Sequence, residues 1–290
     1  MAETAKTLAG PAMVGPTAMV DVAPDLSRAE PQMPTVTCEV TSHVAHLRLN
    51  RPEAGNRFSM EMFRALAGLF TELDADPGIR CLLLTANGAD FSLGVDVADV
   101  MPSWAAGNSP FGDHEVNPFG TTGPRRRKPL VTVVQGQCFN AGLELVLASD
   151  ICVATDNCRF AFHEMRFGVY PFGGGLFRLI RAAGWTAAMY YSLSAREFGA
   201  DEALRMNVVA LTVPLAEAEA TGLAIAHDIS RNAPLAVQAA LAQAQTWADH
   251  GEAAALAHSV PDIIRLLNSR DATEAMRAMA EGRPPIFSGQ

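Results

Sequence analysis

Leu130-Val131-Thr132-Val133-Val134-Gln135-Gly136-Gln137-Cys138-Phe139-Asn140-Ala141-Gly142-Leu143-Glu144-Leu145 reads as a strand, a glycine-bearing bend and the opening of a helix. Leu130 to Val134 is a short apolar run rich in β-branched residues, and Ala141 to Ser149 continues at helical spacing. The same order occurs upstream. Leu82-Leu83-Leu84 leads into Phe91-Ser92-Leu93-Gly94-Val95-Asp96, and a short helix is expected from Val97. The first N–H groups of a helix have no intrahelical acceptor and carry partial positive charge. Two such donors, one from each turn, suit an oxygen that becomes negative during a reaction. Glu144 and Glu164 follow the turns, and a carboxylate pair beside the donors supplies proton transfer. The pattern outlines an enolate-stabilising site.

Outward from this stretch, strands and helices alternate. Val44 to Leu49, Cys81 to Thr85 and Ile151 to Ala154 read as further strands. Phe58 to Leu73 reads as an amphipathic helix with Ser59 near its start. Strands separated by crossover helices predict an α/β fold with a parallel sheet. After about residue 175 the strand signals fade. The segments 176–183, 186–193, 200–206, 215–231, 234–248, 252–267 and 272–281 read as helices, with Pro234 suited to a first helical turn. We expect a flexible extension over 1–34, a core bearing the site over 35–200, and a C-terminal helical region over 201–290. The segment from Pro102 to Lys128 is rich in glycine and proline, and lies between the two turns as a candidate mobile lid. It ends in Arg125-Arg126-Arg127-Lys128, for which a solvated loop end and an anion contact are both open.

Bulk properties exclude several classes. The net charge of −9 argues against a nucleic-acid partner, whose phosphates need a basic surface. No stretch approaches the roughly 18 consecutive apolar residues of a membrane span, and the N-terminus lacks the basic-then-apolar order of a secretory signal. Five cysteines without CxxC spacing predict reduced thiols in a cytoplasmic protein, with no metal site. Cys138 reads as a small buried thiol rather than a nucleophile. A Ser-His-Asp hydrolase finds no support, because GxSxG is absent.

With these residues in view, the chain resembles the crotonase superfamily, also called enoyl-CoA hydratase/isomerase. Leu49-Asn50-Arg51-Pro52-Glu53 with Asn56 and Phe58-Ser59 resembles that family's first signature. The turn at 91–96 and the stretch from Gln135 to Ile151 resemble its two oxyanion-hole segments. Phe160-Ala161-Phe162-His163-Glu164, with Gly168, Pro171 and Gly173-Gly174-Gly175, resembles the segment carrying a second catalytic carboxylate. The resemblance runs from about Val36 to Phe287, with the motifs in family order.

The resemblance implies a spiral of β-β-α units with a C-terminal helical region that forms a homotrimer or dimer of trimers. It implies an acyl-CoA thioester substrate, no metal, and no cofactor beyond the coenzyme A carried by the substrate. Residue by residue, Val95 and Ala141 are the implied backbone donors and Glu144 and Glu164 the implied acid–base pair, which favours hydration of a 2,3 double bond. Arg57, Ser92, Gly94, Asp96, Gly142 and Phe172 are the implied contacts to substrate or coenzyme, though Asp96 also suits a helix cap. Isomerisation, thioester hydrolysis and non-catalytic acyl-CoA binding stay open. The sequence departs from the family pattern at several points. Asn140-Ala141 replaces a more usual glycine pair, His163 stands where proline is frequent and within reach of pairing with Glu164, and Phe172 replaces a smaller residue. The family's coenzyme-contacting lysines are absent near Ala54 and Gly282, leaving Arg51, Arg57, Arg283 or the 125–128 run for that role.

Overall fold

The computed structural model describes residues 33–290, and the expected N-terminal extension lies almost wholly outside the described residues. Pro34–Gln290 forms one compact unit. In chain order its elements are β1 (Val36–Thr41), β2 (Val44–Leu49), α1 (Met60–Ala75), β3 (Cys81–Ala86), α2 (Val97–Ala105), β4 (Leu130–Val134), β5 (Gln137–Phe139), α3 (Ala141–Ala148), β6 (Ile151–Thr155) and β7 (Arg159–Ala161). There follow α4 (Gly175–Ala183), α5 (Trp185–Ser194), β8 (Phe198–Gly199), α6 (Ala200–Arg205), β9 (Leu211–Val213), α7 (Leu215–Ser230), α8 (Pro234–His250), α9 (Glu252–Leu267) and α10 (Arg270–Glu281). No helix among the described residues is long and apolar enough to cross a membrane.

The main sheet has the order β1-β2-β3-β4-β6-β9, antiparallel only between β1 and β2. Its central strands are apolar on both faces because both faces are covered. Leu82 and Leu84 of β3 point into a large core with Phe63, Leu66 and Phe70 of α1. Cys81 and Leu83 alternate to the other face, with Val131, Val133, and Ala218 and Ala226 of α7. Helix α1 starts where Ser59 Oγ accepts the Met62 N–H at 3.1 Å, capping the helix expected to begin near Ser59.

A second, smaller layer is built from short extensions of the same strands. β5, β7 and β8 pair as a three-stranded sheet. Isolated parallel bridges Ser92↔Cys138 and Phe58↔Val95 carry the layer on to the loops that follow β3 and β2. β2, β3, β4 and β6 therefore pass into the second layer before the next helix begins, which is the expected spiral of β-β-α units. The switch from β4 to β5 occurs at Gly136, where φ is +57° and a Cβ would stand 2.2 Å from the Ala89 carbonyl oxygen.

One expectation is corrected here. Strands do continue after residue 175, since β8 and β9 pair with the two sheets. With only two and three residues, neither is long enough to show a period. The segment 102–128, expected as a candidate mobile lid, packs its middle part against the core. Its first residues finish α2, and Val116, Asn117 and Phe119 are buried. The Phe119 ring lies 5.9 Å from that of Phe63 and 5.4 Å from that of Phe172, centroid to centroid.

Candidate active site

The two glycine-bearing turns lie against each other. Ser92 N–H donates to the Gln137 carbonyl at 3.1 Å and Phe139 N–H to the Ser92 carbonyl at 2.8 Å, so the first turn runs beside β5 like an added strand. Glycines allow the approach: a Cβ on Gly142 would stand 3.0 Å from that of Ser92, and one on Gly94 2.9 Å from that of Asn140. Ser92 itself is buried, its hydroxyl donating to the Asn56 carbonyl at 2.8 Å and accepting from Gly94 N–H at 3.2 Å. It shapes the turn.

Peptide geometry sets the direction of the two donors. In a trans peptide the C=O and the following N–H point opposite ways, and the described residues contain no cis bond. The Gly94 carbonyl accepts Phe58 N–H at 2.8 Å, so Val95 N–H is turned away from Phe58. The Asn140 carbonyl accepts Glu144 N–H at 3.0 Å, so Ala141 N–H points out of the start of α3. Neither N–H has an acceptor among the described residues.

Glu144 lies in the first turn of α3 and is fully buried. Its Oε1 accepts Gly175 N–H at 3.0 Å, and a Cβ on Gly173 would meet its carboxyl carbon at 3.1 Å. Glu164 opens a short 3-10 turn, Glu164–Phe167, directly after His163. Oε2 of each glutamate is buried and lacks a hydrogen-bond partner among the described residues. Burial pushes Glu144 up to about 8, a rise opposed mainly by the Gly175 N–H and reinforced by the charge of Glu164. Burial likewise pushes Glu164 up to about 7. The two carboxyls thus sense each other, and near neutral pH one can hold a proton while the other is ionised.

Around them stands an aromatic wall. Phe119 reaches Gly173 beside Glu144, and Phe172, half-buried, packs on Trp104 at 4.4 Å between centroids. A cavity of about 970 Å³ adjoins this wall, lined by Phe119, Phe172, Gly174 and Arg178 but by neither glutamate. Arg178 fastens the loop over Glu144, donating to the Gly173 and Phe119 carbonyls at 2.6 Å each. Phe119, Trp104 and Arg178 escaped the sequence reading. Aromatic residues inside a glycine- and proline-rich loop were the available signal.

The remaining expectations divide. Asp96 is the residue before α2 and pairs with Arg51 at 3.3 Å, so it braces the first turn. His163 makes no hydrogen bond to Glu164. Its ring packs edge-on against Phe139, its Nε2 lies 3.8 Å from Glu197, and burial holds it below the usual histidine range. Cys138 is buried and its thiol is pushed well up by that burial, as befits an inert core residue. The basic run is tied into the fold: Arg125 pairs with Asp249, Arg126 with Asp150 and Arg127 with Asp74, each at 2.8 Å, and Lys128 is buried. Arg283 is held by Glu274 and Glu281. Arg57 differs. It is exposed next to the first turn, and among the described residues its guanidinium donates only to the Ala54 carbonyl, at 3.0 Å.

Comparison with known proteins gives the same frame. Residues 39–290 match the family described as enoyl-CoA hydratase/isomerase. Enoyl-CoA hydratase EchA19 of Mycobacterium tuberculosis is 34% identical over 267 residues, 89% of this chain and 97% of that protein. Mevalonyl-coenzyme A hydratase sidH of Aspergillus fumigatus is 30% identical over 250 residues, 84% of this chain and 91% of that protein. Among solved structures, a probable enoyl-CoA hydratase/isomerase from Mycobacterium abscessus superposes with a TM-score of 0.86 at 37% identity, covering 88% of this chain and 99% of the other. Two layers of paired strands, adjoining turns with free amides and a nearly full-length match to one family lead to one assignment: the chain belongs to the enoyl-CoA hydratase/isomerase family.

Proposed function

We propose that the protein is an enoyl-CoA hydratase, a hydro-lyase that adds water across the 2,3 double bond of an acyl-CoA thioester. The observation that carries this reading is fully buried Glu144 with half-buried Glu164, each with a buried Oε2 unpartnered among the described residues, near two turns whose amides are likewise unpartnered there. In this reading Val95 and Ala141 N–H grip the thioester oxygen and stabilise the enolate-like transition state. Each such donor is worth roughly 3–4 kcal/mol. One carboxylate draws a proton from water as its oxygen bonds to the β-carbon. The other, protonated, gives its proton to the α-carbon. Glu164 is assigned the α-proton and Glu144 the orientation of the water; because burial raises Glu144 the further of the two, this assignment requires the shared proton to pass to Glu164 when substrate binds. The step requires no metal and no cofactor apart from the coenzyme A of the substrate. Phe172 and the aromatic wall supply apolar surface for the acyl group. Arg57, free of carboxylate partners among the described residues, suits a coenzyme phosphate.

The test is turnover. Purified protein offered crotonyl-CoA and longer 2-enoyl-CoA thioesters in ¹⁸O water should consume the conjugated absorbance and place the label in a 3-hydroxyacyl product. Glu164→Gln should lower kcat by about a hundredfold or more. Double-bond migration without label would make it an isomerase, free thiol a hydrolase, and tight binding without product a silent binder.

A further inference from the structure

Asn140 occupies a backbone conformation that belongs to glycine, with φ 54° and ψ −121°. Non-glycine residues enter this region only when their surroundings hold them there. Here the side chain is what the surroundings hold. Its Oδ1 accepts the His163 N–H at 2.7 Å, on the residue just before Glu164. Its side chain lies so close to Gly94, which has φ +103° and precedes Val95, that a Cβ there would stand 2.8 Å from Asn140 Nδ2. Its main-chain N–H donates to the Ala161 carbonyl at 2.9 Å, and its carbonyl accepts from Glu144 N–H at 3.0 Å. One residue therefore touches the segments that carry Val95, Ala141, Glu144 and Glu164.

We propose that Asn140 is a positioning residue whose carboxamide fixes the Glu164 segment relative to the two turn amides. The role rests on the hydratase reading above and goes beyond it. A glycine at this site adopts the same backbone freely but leaves His163 N–H without its acceptor, so the entry to the 3-10 turn bearing Glu164 loses its anchor. Asn supplies the anchor, and the contacts around it hold its backbone in a region that glycine would enter freely. The strained backbone and the hydrogen bond are thus two halves of one device, joining the acid–base segment to the carbonyl-binding turns.

The experiment compares wild type with Asn140→Gly and Asn140→Asp, reading thermal midpoint, kcat, KM and amide hydrogen exchange of the peptide spanning His163. A merely structural residue at a glycine-like φ gains or holds stability on replacement by glycine and keeps its kcat. The positioning role predicts a different set: Asn140→Gly melts no lower than wild type, exchanges the His163 amide at least tenfold faster, and loses roughly ten- to a hundredfold in kcat with KM little changed. Asn140→Asp, which keeps an acceptor oxygen, restores the slow exchange. Wild-type kcat in Asn140→Gly, or unaltered exchange at His163, overturns the proposal. A wild-type chain that turns over no enoyl thioester refutes the reaction assigned above, and the exchange rates in the two variants then decide the anchor on their own.

Discussion

Glu144→Gln should make the protein more stable in alkali while removing its activity. Wild-type Glu144 is fully buried, and burial lifts its carboxyl from 4.5 to about 8. A carboxyl raised on folding contributes stability that is complete below its unfolded value and is lost as the pH climbs through the folded one. At about 1.4 kcal/mol for each tenfold change in acidity, the rise sets a ceiling of roughly 5 kcal/mol; coupling to Glu164 makes about 3–5 kcal/mol the working range. Glutamine keeps an oxygen for the Gly175 N–H and cannot ionise. The two chains should therefore match within about 1 kcal/mol at pH 5, diverge up to about pH 8 and stay apart beyond it, with the variant the more stable. Urea unfolding followed by tryptophan fluorescence at pH 5, 7 and 9 reads the difference as a shift in midpoint at constant slope. Parallel pH profiles for the two chains would refute the reasoning, because Glu144 would then be as easily ionised folded as unfolded.

Two other outcomes follow from the same structure. Arg57→Ala should raise KM for a CoA thioester by up to about tenfold at low salt with kcat unchanged, the mark of uniform binding. The effect should vanish with a pantetheine thioester lacking the phosphates, and equal losses with both substrates would remove Arg57 from phosphate binding. We also propose the homotrimer or dimer of trimers that the resemblance implies, joined through the C-terminal helices, where Leu256, Val260, Ile263 and Leu267 stand exposed at helical spacing along α9. Sedimentation equilibrium should give three or six times the chain mass of 30.8 kDa, and a monomer at micromolar concentration would contradict it.

The parts of the fold that could be read from sequence were those with local causes. The strand–turn–helix at 130–145 announces itself through a β-branched run, bends and an apolar helix, and it placed Glu144 in the first turn of α3. The seven helices expected after residue 175 are all present within about two residues of their boundaries, since each carries its own periodicity or break. Strands β5, β7, β8 and β9 were invisible because two or three residues show no period and draw their stability from neighbours distant in sequence. For the same reason local charge density left the 125–128 run open between a loop end and an anion contact. Its three arginines pair with Asp74, Asp150 and Asp249, brought against them from α1, the start of β6 and α8.

Asn140 shows where such reading stops and why. A departure from a glycine pair was visible, and by itself it signals only a less permissive turn. Its meaning depends on His163 N–H arriving 2.7 Å away from a different strand-and-turn unit, a fact of the spiral rather than of the turn. The site as a whole carries groups that weaken the isolated fold: two carboxyls raised by burial, two amides without acceptors and one side chain held at positive φ. A core selected for stability alone would exclude each of them. Their concentration where two turns meet, within an otherwise well-packed pair of sheets, is the physical argument that this place does chemistry.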